Sequence, residues 1–242
     1  MSLIAVGSGK GSPGCTFVAI NLAAAIAASV GEALLVDLDP NGADISAYLG
    51  LDPRRGLYPL MRLEGRVPSQ DSLLREAESR GGLLCIGGFS RGEDADIEMI
   101  RTVLDVSREA AVTVVADLGR VSSQTADLFA KADLVLIAVR PDLIGTFGAQ
   151  RALEALKGAG VAEAKAGAVI TGWEWRRAGD LAEVVQALPT KVIGTIPLDR
   201  REARKALAQQ QPLHRGSAAR AFRALAAETM AMMGQRSEEV FA

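Results

Sequence analysis

Apolar residues rich in Val and Ile fall in short runs at residues 3–6, 33–36, 83–86, 112–116, 134–139, 166–170 and 192–196. Runs this short and this free of charge predict strands covered on both faces. Between most of them the apolar positions shift to helical spacing, at residues 16–29, 95–108, 145–156 and 181–188, which predicts helices that bury one face. Strands alternating with helices require crossover connections, so the expected architecture is α/β, a doubly wound and mostly parallel sheet with helices on both faces. Charge and glycine return where the strands end, at Gly7-Ser8-Gly9-Lys10, Asp37-Leu38-Asp39, Asp117-Leu118-Gly119 and Arg140-Pro141-Asp142. In open parallel sheets that edge is where ligands sit. Residues 52–82, with Pro53, Pro59, Pro68 and Gly81-Gly82, form the longest irregular stretch and are expected to hold a helical insertion before the strand at Leu83.

Composition narrows the class. The 242 residues are 49% hydrophobic and 23% charged, enough apolar side chain to bury a full core and too much for a disordered chain. Only 4% are aromatic, so that core has to be built from small aliphatic groups. Residues 1–234 are expected to form one domain and residues 235–242 a polar tail. With 27 basic and 29 acidic residues the net charge is -2, which excludes a general nucleic-acid coat or a polybasic membrane binder. Cys15, Cys85 and His214 are too few for a structural zinc site, and two cysteines make no disulfide scaffold. The N-terminus enters a strand-like run without an export signal, and the longest apolar stretch, residues 17–28, is interrupted by Asn21 and falls short of the about 20 residues a bilayer span needs. The expected location is the cytoplasm.

The strongest chemical signal is Gly9-Lys10-Gly11-Ser12-Pro13-Gly14-Cys15-Thr16, lying after a predicted strand and before a predicted helix. The P-loop pattern G-x-x-x-x-G-K-S/T works because a glycine-rich turn and a helix N-terminus aim N–H groups at phosphates, Lys pairs with the β and γ groups, and the hydroxyl holds Mg²⁺. Both framing glycines and Thr16 are present, and Cys15 stands where that Lys belongs. Two readings stand: a phosphate cradle, or a tight turn that has lost its ligand. Asp37 and Asp39 likewise either end a buried strand as functional acids or initiate the turn that Pro40 and Asn41-Gly42 suggest.

Lys10 followed by Gly11 resembles the deviant Walker A motif, K-G-G-x-G-K-S/T, of the MinD/ParA family. Further segments are similar to that family in the same order: Leu34-Leu35-Val36-Asp37-Leu38-Asp39-Pro40 with Tyr48-Leu49-Gly50, then Val114-Val115-Ala116-Asp117, then Ile193-Gly194-Thr195-Ile196-Pro197-Leu198-Asp199. The loss of the second P-loop Lys, with Gly82-Leu83-Leu84-Cys85-Ile86 after the insertion, is most similar to the CpaE/TadZ branch, whose members localise pilus-assembly machinery. The resemblance implies ATP with Mg²⁺ and a homodimer formed through the nucleotide face. It gives Lys10 a contact to the partner's nucleotide, Thr16 a Mg²⁺ bond, Asp37 a water-mediated Mg²⁺ contact, Asp39 the positioning of the attacking water and Asp117 an outer contact to the metal. Nucleotide binding is then assigned to Gly9, Lys10, Gly11, Ser12, Pro13, Gly14, Cys15, Thr16 and Phe17, and to Thr171, Pro197, Leu198 and Asp199 around the base. Lys10 and Asp39 would serve catalysis; Thr16, Asp37 and Asp117 would serve the metal.

Cys15 sets the expected activity. A neutral thiol brings no positive charge to the phosphates, and a thiolate, which a helix N-terminus favours, would repel them. ATP hydrolysis is therefore expected to be weak at most, and the chain is read as a nucleotide-dependent positioning or scaffold protein with a partner from pilus, division or partition machinery, recruited by that partner to a pole or membrane. A redox-sensing role for Cys15 is the other use of a thiol there. The alternatives in function are an active ParA-like partitioning ATPase and an interaction module that has lost nucleotide. Where the family often has Asn to read adenine, this sequence has Thr171-Gly172, followed by Trp173 and Trp175, which either stack on a base, make a partner surface or cap the core. Arg200, Arg201, Arg204, Lys205, Arg215, Arg220 and Arg223 read either as solvated helix faces paired with Glu202 and Glu228 or as a surface for DNA. The acidic, short C-terminus argues against a strong membrane anchor, and His214 is expected at the surface.

Overall fold

A computed structural model describes residues 1–11, 14–61, 68–88, 96–174 and 178–240, with side chains for all of these except 61, 178–180 and 235–240. The strands are β1 (Ser2–Ser8), β2 (Leu34–Asp37), β3 (Glu78–Arg80), β4 (Leu83–Ile86), β5 (Thr113–Arg120), β6 (Leu134–Val139), β7 (Ala166–Trp173) and β8 (Val192–Pro197). The helices are α1 (Cys15–Val30), α2 (Ile45–Leu49), α3 (Leu57–Met61), α4 (Gln70–Glu76), α5 (Ile97–Ala110), α6 (Ala126–Ala130), α7 (Leu143–Gly158), α8 (Ala178–Ala187), α9 (Arg200–Ala208) and α10 (Gly216–Val240). Among the described residues the sheet has eight strands in the order β3-β4-β2-β5-β1-β6-β7-β8. All pairings are parallel except β3 with β4.

The two-residue period of each strand sorts its side chains into two layers. Leu3, Ala5, Leu34, Val36, Val114, Ala116, Val135 and Ile137 pack toward α3, α4, α5, α6, α7 and α8. Their neighbours Ile4, Val6, Leu35, Val115, Leu134 and Leu136 pack toward α1, α2 and α10. Full burial of each Leu or Ile contributes about 1.5–3 kcal/mol, and burial on both faces explains why the runs are continuous instead of alternating. The core is aliphatic, with Phe129 and Phe222 its largest fully buried side chains.

The seven expected strands are all present. The eighth, β3, is a polar edge strand, Glu78-Ser79-Arg80, whose Arg80 donates to the carbonyls of Leu49 (2.9 Å) and Gly50 (2.8 Å). An edge strand that hides no apolar face gives no periodic signal. The insertion is helical in α3 and α4, the latter with a reciprocal Ser69–Ser72 cap. Helix α9 buries no side chain and depends on its Asp199 cap. The last helix runs on to Val240, through residues 235–240 that composition assigned to a polar tail. Among the described residues no helix is long and apolar enough to cross a membrane.

Candidate functional site

Strand β1 lies at the centre of the sheet, between β5 and β6, and its C-terminal end delivers the glycine loop to the mouth of the fold. Gly9 is pressed onto α7: a Cβ there would fall inside the Gly148 carbonyl, so only glycine fits. The Ser8 hydroxyl donates to the Lys10 carbonyl at 2.8 Å and stiffens the turn. Gly14 adopts the left-handed conformation (φ 88°) that lets the chain enter α1, and no side chain caps that helix. The first N–H groups of α1 are thus left to face the loop, the arrangement that receives an anion.

Beneath the loop, β2 and β5 place Asp37 and Asp117 in register. They are 1% and 0% exposed. Asp37 accepts from the N–H groups of Ile45 (2.9 Å) and Asp39 (3.4 Å). Asp117 Oδ1 accepts from the Gly119 N–H at 3.1 Å and from the Cys15 thiol at 3.0 Å, whereas Asp117 Oδ2 is buried with no hydrogen-bond partner. The Asp39 carboxylate lies against Gly119, a residue at φ 65° where any Cβ would collide with it, and also accepts from the Asn41 N–H at 2.9 Å. The loop after β2 is therefore both a turn, as Asn41-Gly42 implied, and a device that holds an acid at the cleft.

Burial, and next the Asp117 charge, raise the pKa of Asp37 well above the usual carboxylate range. Burial also raises Asp117, against the opposing hydrogen bond of the Cys15 thiol. Cys15 is 8% exposed, and burial, then the Asp117 charge, push its pKa well above that of a free thiol. The helix N-terminus alone would have moved it the other way. Cys15 is accordingly a neutral donor bound to Asp117. Cys85, in β4, is pushed by burial to about 12, so neither thiol has the low pKa and exposure that redox sensing uses.

A cleft of about 780 Å³ opens above these acids, lined by Lys10, Gly11, Gly14, Cys15, Thr16, Phe17 and Asp39. Asn41, Asp44, Tyr48, Arg120, Ser122 and Gln124 line it too; of these the sequence pointed to Asn41 only as a turn residue and to Tyr48 only within Tyr48-Leu49-Gly50, and to the others not at all. Arg120 follows directly on Asp117-Leu118-Gly119 and was the one legible from that position. A second cleft of about 420 Å³ shares Gly14 and Phe17 and reaches Thr171, Pro197, Leu198 and Asp199, with Arg140 and Arg200 at its rim. Gly9 lies behind the loop, against α7. Ser12 and Pro13 lie outside the described residues, as does Trp175. Trp173 is half-buried at the end of β7, where its carbonyl accepts from the Leu198 N–H at 2.7 Å. Asp199 serves as a cap for two helices, accepting from Glu202 N–H (3.4 Å) and from Ser217 N–H (3.0 Å) and hydroxyl (3.1 Å). His214 is exposed, as expected.

The donor set fits a nucleotide with a hard cation. The cradle is open, since a Cβ on Gly11 would meet nothing within 4 Å, and the orphaned Asp117 Oδ2 offers an acceptor beside Thr16. Among the described residues no three acidic, Cys or His side chains converge to hold a metal by themselves. Mg²⁺ commonly takes one or two protein ligands and completes its shell with phosphate oxygens and water, which is what Thr16 and the two buried acids allow.

Comparison with known proteins agrees with this geometry. The family model described as CobQ/CobB/MinD/ParA nucleotide binding domain matches residues 4–213. The uncharacterized protein Rv3660c of Mycobacterium tuberculosis is 33% identical over 138 residues, 56% of this chain and 38% of its own length; the chain thus aligns with well under half of that relative. Among solved structures, a ParA family ATPase from Chlorobium tepidum TLS superposes with a TM-score of 0.80 at 16% identity, covering 93% of this chain and 98% of the other. A MinC:MinD cell division protein complex from Aquifex aeolicus gives 0.78 at 22% identity, covering 96% of both chains. At these identities the likeness is one of fold.

Proposed function

The chain belongs to the CobQ/CobB/MinD/ParA nucleotide-binding family, and we propose that within it the protein is a nucleotide-dependent positioning or scaffold protein that binds Mg-ATP, dimerises through the nucleotide face and hydrolyses ATP slowly or not at all. The observation that carries this reading is the Cys15 thiol donating to Asp117 at 3.0 Å. The P-loop position that would bear an ammonium holds a neutral group turned toward the buried acid. The glycine loop and the free end of α1 still offer N–H groups to the phosphates, and Thr16, Asp37 and Asp117 would hold Mg²⁺, which supplies charge neutralisation between the β and γ groups. Asp39, held against Gly119, would orient the attacking water. Lys10 and Arg120 are the cations that line the cleft, and in a face-to-face dimer Lys10 would serve the partner's nucleotide. Lacking a positioned cation typically costs a phosphoryl-transfer site several kcal/mol, on the order of 10³-fold in rate.

The branch that best suits a P-loop without its second Lys is the CpaE/TadZ type, so a pilus-assembly partner is the first to test. The MinC partner of the Aquifex complex and the ParA neighbour keep division and partition partners in view. Calorimetric titration with ATP and ADP, with and without Mg²⁺, tests the cradle. Saturable, Mg²⁺-dependent binding is expected, together with a rise in mass by sedimentation when Mg-ATP is added. Dimerisation indifferent to nucleotide would remove the mechanism, and no binding at millimolar nucleotide would leave an interaction module instead.

One observation favours a second reading, a partitioning ATPase that binds DNA. Arg200, Arg201, Arg204, Lys205, Arg215, Arg220 and Arg223 are all exposed, and only Arg200, with Glu174 at 3.5 Å, and Arg201, with Glu202 at 3.9 Å, have ion-pair partners among the described residues. Salt-sensitive DNA binding that is lost on reversing Arg204 and Lys205 to Glu, accompanied by steady ATP turnover, would support it.

A further inference from the structure

We propose that the cleft running from Gly14 and Phe17 to the β8–α9 turn is a base site that does not select adenine: it takes guanine nucleotides at least as well, and Arg140 is the side chain that favours them. This rests on the nucleotide-binding reading and specifies its ligand. The two purines stack equally well on apolar walls, so selection depends on which hydrogen-bonding groups meet the base edge. Here the walls are Phe17, held edge-on by Phe222 at 5.6 Å between ring centroids, and Ile196, Pro197 and Leu198.

Two side-chain acceptors line the cleft, Asp199 and Thr171, and both are already engaged. Asp199 spends its two oxygens on Glu202 and Ser217. The Trp173 carbonyl is taken by Leu198. The Thr171 hydroxyl gives its proton to the Val139 carbonyl at 3.4 Å, so toward a base it acts as an acceptor. An acceptor alone does not separate the purines, because adenine offers its N6 amine and guanine its N1–H and N2 amine.

The donors are different. Arg140 and Arg200 both stand at the rim. Arg140 meets Asp142 through Nε, at 3.4 Å, which leaves both terminal nitrogens for another acceptor. A guanidinium fork matches the paired O6 and N7 acceptors of guanine, whereas the N6 and N7 edge of adenine asks for a group that both donates and accepts, an amide. No Asn or Gln lines this cleft among the described residues. Among the side chains that line the cleft, the discrimination therefore leans toward the oxo base.

The test is calorimetric titration of the full chain with Mg-ATP and with Mg-GTP. GTP is expected to bind within about threefold of ATP, or more tightly, where one good bidentate contact is worth on the order of tenfold. Arg140→Ala should shift the GTP-to-ATP ratio toward ATP by at least about threefold, and Arg140→Lys, which keeps a cation for Asp142 but not the fork, should do the same. Thr171→Asn should supply the missing amide and favour ATP by about tenfold. ATP binding at least about tenfold tighter than GTP in the unaltered chain overturns the proposal, as does a ratio that ignores both Arg140 variants. Failure of both nucleotides to bind overturns the nucleotide reading itself, and the proposal with it.

Discussion

On the β2–β5 side of Gly14 the polar groups are buried and fixed by backbone N–H donors: Asp37 by Ile45 and Asp39, Asp117 by Gly119. On the β7–β8 side they are exposed or already engaged as caps, as Asp199 is for α9 and α10. The two clefts meet at Gly14 and Phe17, yet it is under the first that a buried carboxylate oxygen, Asp117 Oδ2, has no hydrogen-bond partner, and a group of that kind is what a ligand relieves. Phosphate and metal recognition is thus built into the centre of the sheet. Base recognition is left to its margin, where little is held rigidly.

Changes on the phosphate side should then be large and those on the base side modest. The largest effect expected is from Cys15→Lys, which puts an ammonium against Asp117 and at the phosphates; ATP turnover should rise by on the order of 10²- to 10³-fold, measured by phosphate release, and adding Asp39→Ala should abolish the gain. An unchanged rate would show that the loop, and not the missing charge, limits hydrolysis. Gly9→Ala should cost about 1–3 kcal/mol in denaturant unfolding and at least about tenfold in nucleotide affinity, because its Cβ meets the Gly148 carbonyl, which belongs to the backbone and cannot turn aside.

On the other side, Asp199→Ala should cost about 1–2 kcal/mol by removing the cap of α9 and the bonds to Ser217 at the start of α10. Nucleotide affinity should change by less than about threefold if Asp199 is a cap and not a base ligand. The smallest effect concerns pH. Asp37 and Asp117 bind protons more tightly folded than unfolded, so the stability that protonation confers is complete below the ordinary carboxylate pKa of about 3.9 and is lost as pH rises through their raised folded values. Without ligand, the unaltered protein should gain stability relative to Asp117→Asn as pH is lowered toward the ordinary carboxylate range, read from denaturant unfolding at a series of pH values. Parallel pH profiles for the two would place the cost of the buried acids elsewhere.

The central strands were legible because their apolar runs have no other use than burial on both faces, and the loop was legible because its glycines and Thr16 keep the order of a phosphate cradle. What stayed hidden has physical causes. β3 is polar and pairs at an edge; α9 buries nothing and owes its helix to a cap; Gly148 matters to Gly9 only because the fold carries α7 past the loop. Arg140 was visible as a charge at a strand end, but no local pattern says that it borders the same cleft as Leu198.

Sequence by itself determined the layered parallel sheet, the phosphate loop and the absence of its second Lys, since these follow from the order and period of residue types along a single chain. Only the tertiary structure decided the protonation of Cys15. A helix N-terminus argues for a thiolate, but parallel pairing of β2 with β5 sets two buried carboxylates beneath the loop, and burial beside Asp117 keeps the thiol neutral. The sign of that shift depends on which groups the fold brings within reach, and Asp117 is a hundred-odd residues from Cys15 along the chain.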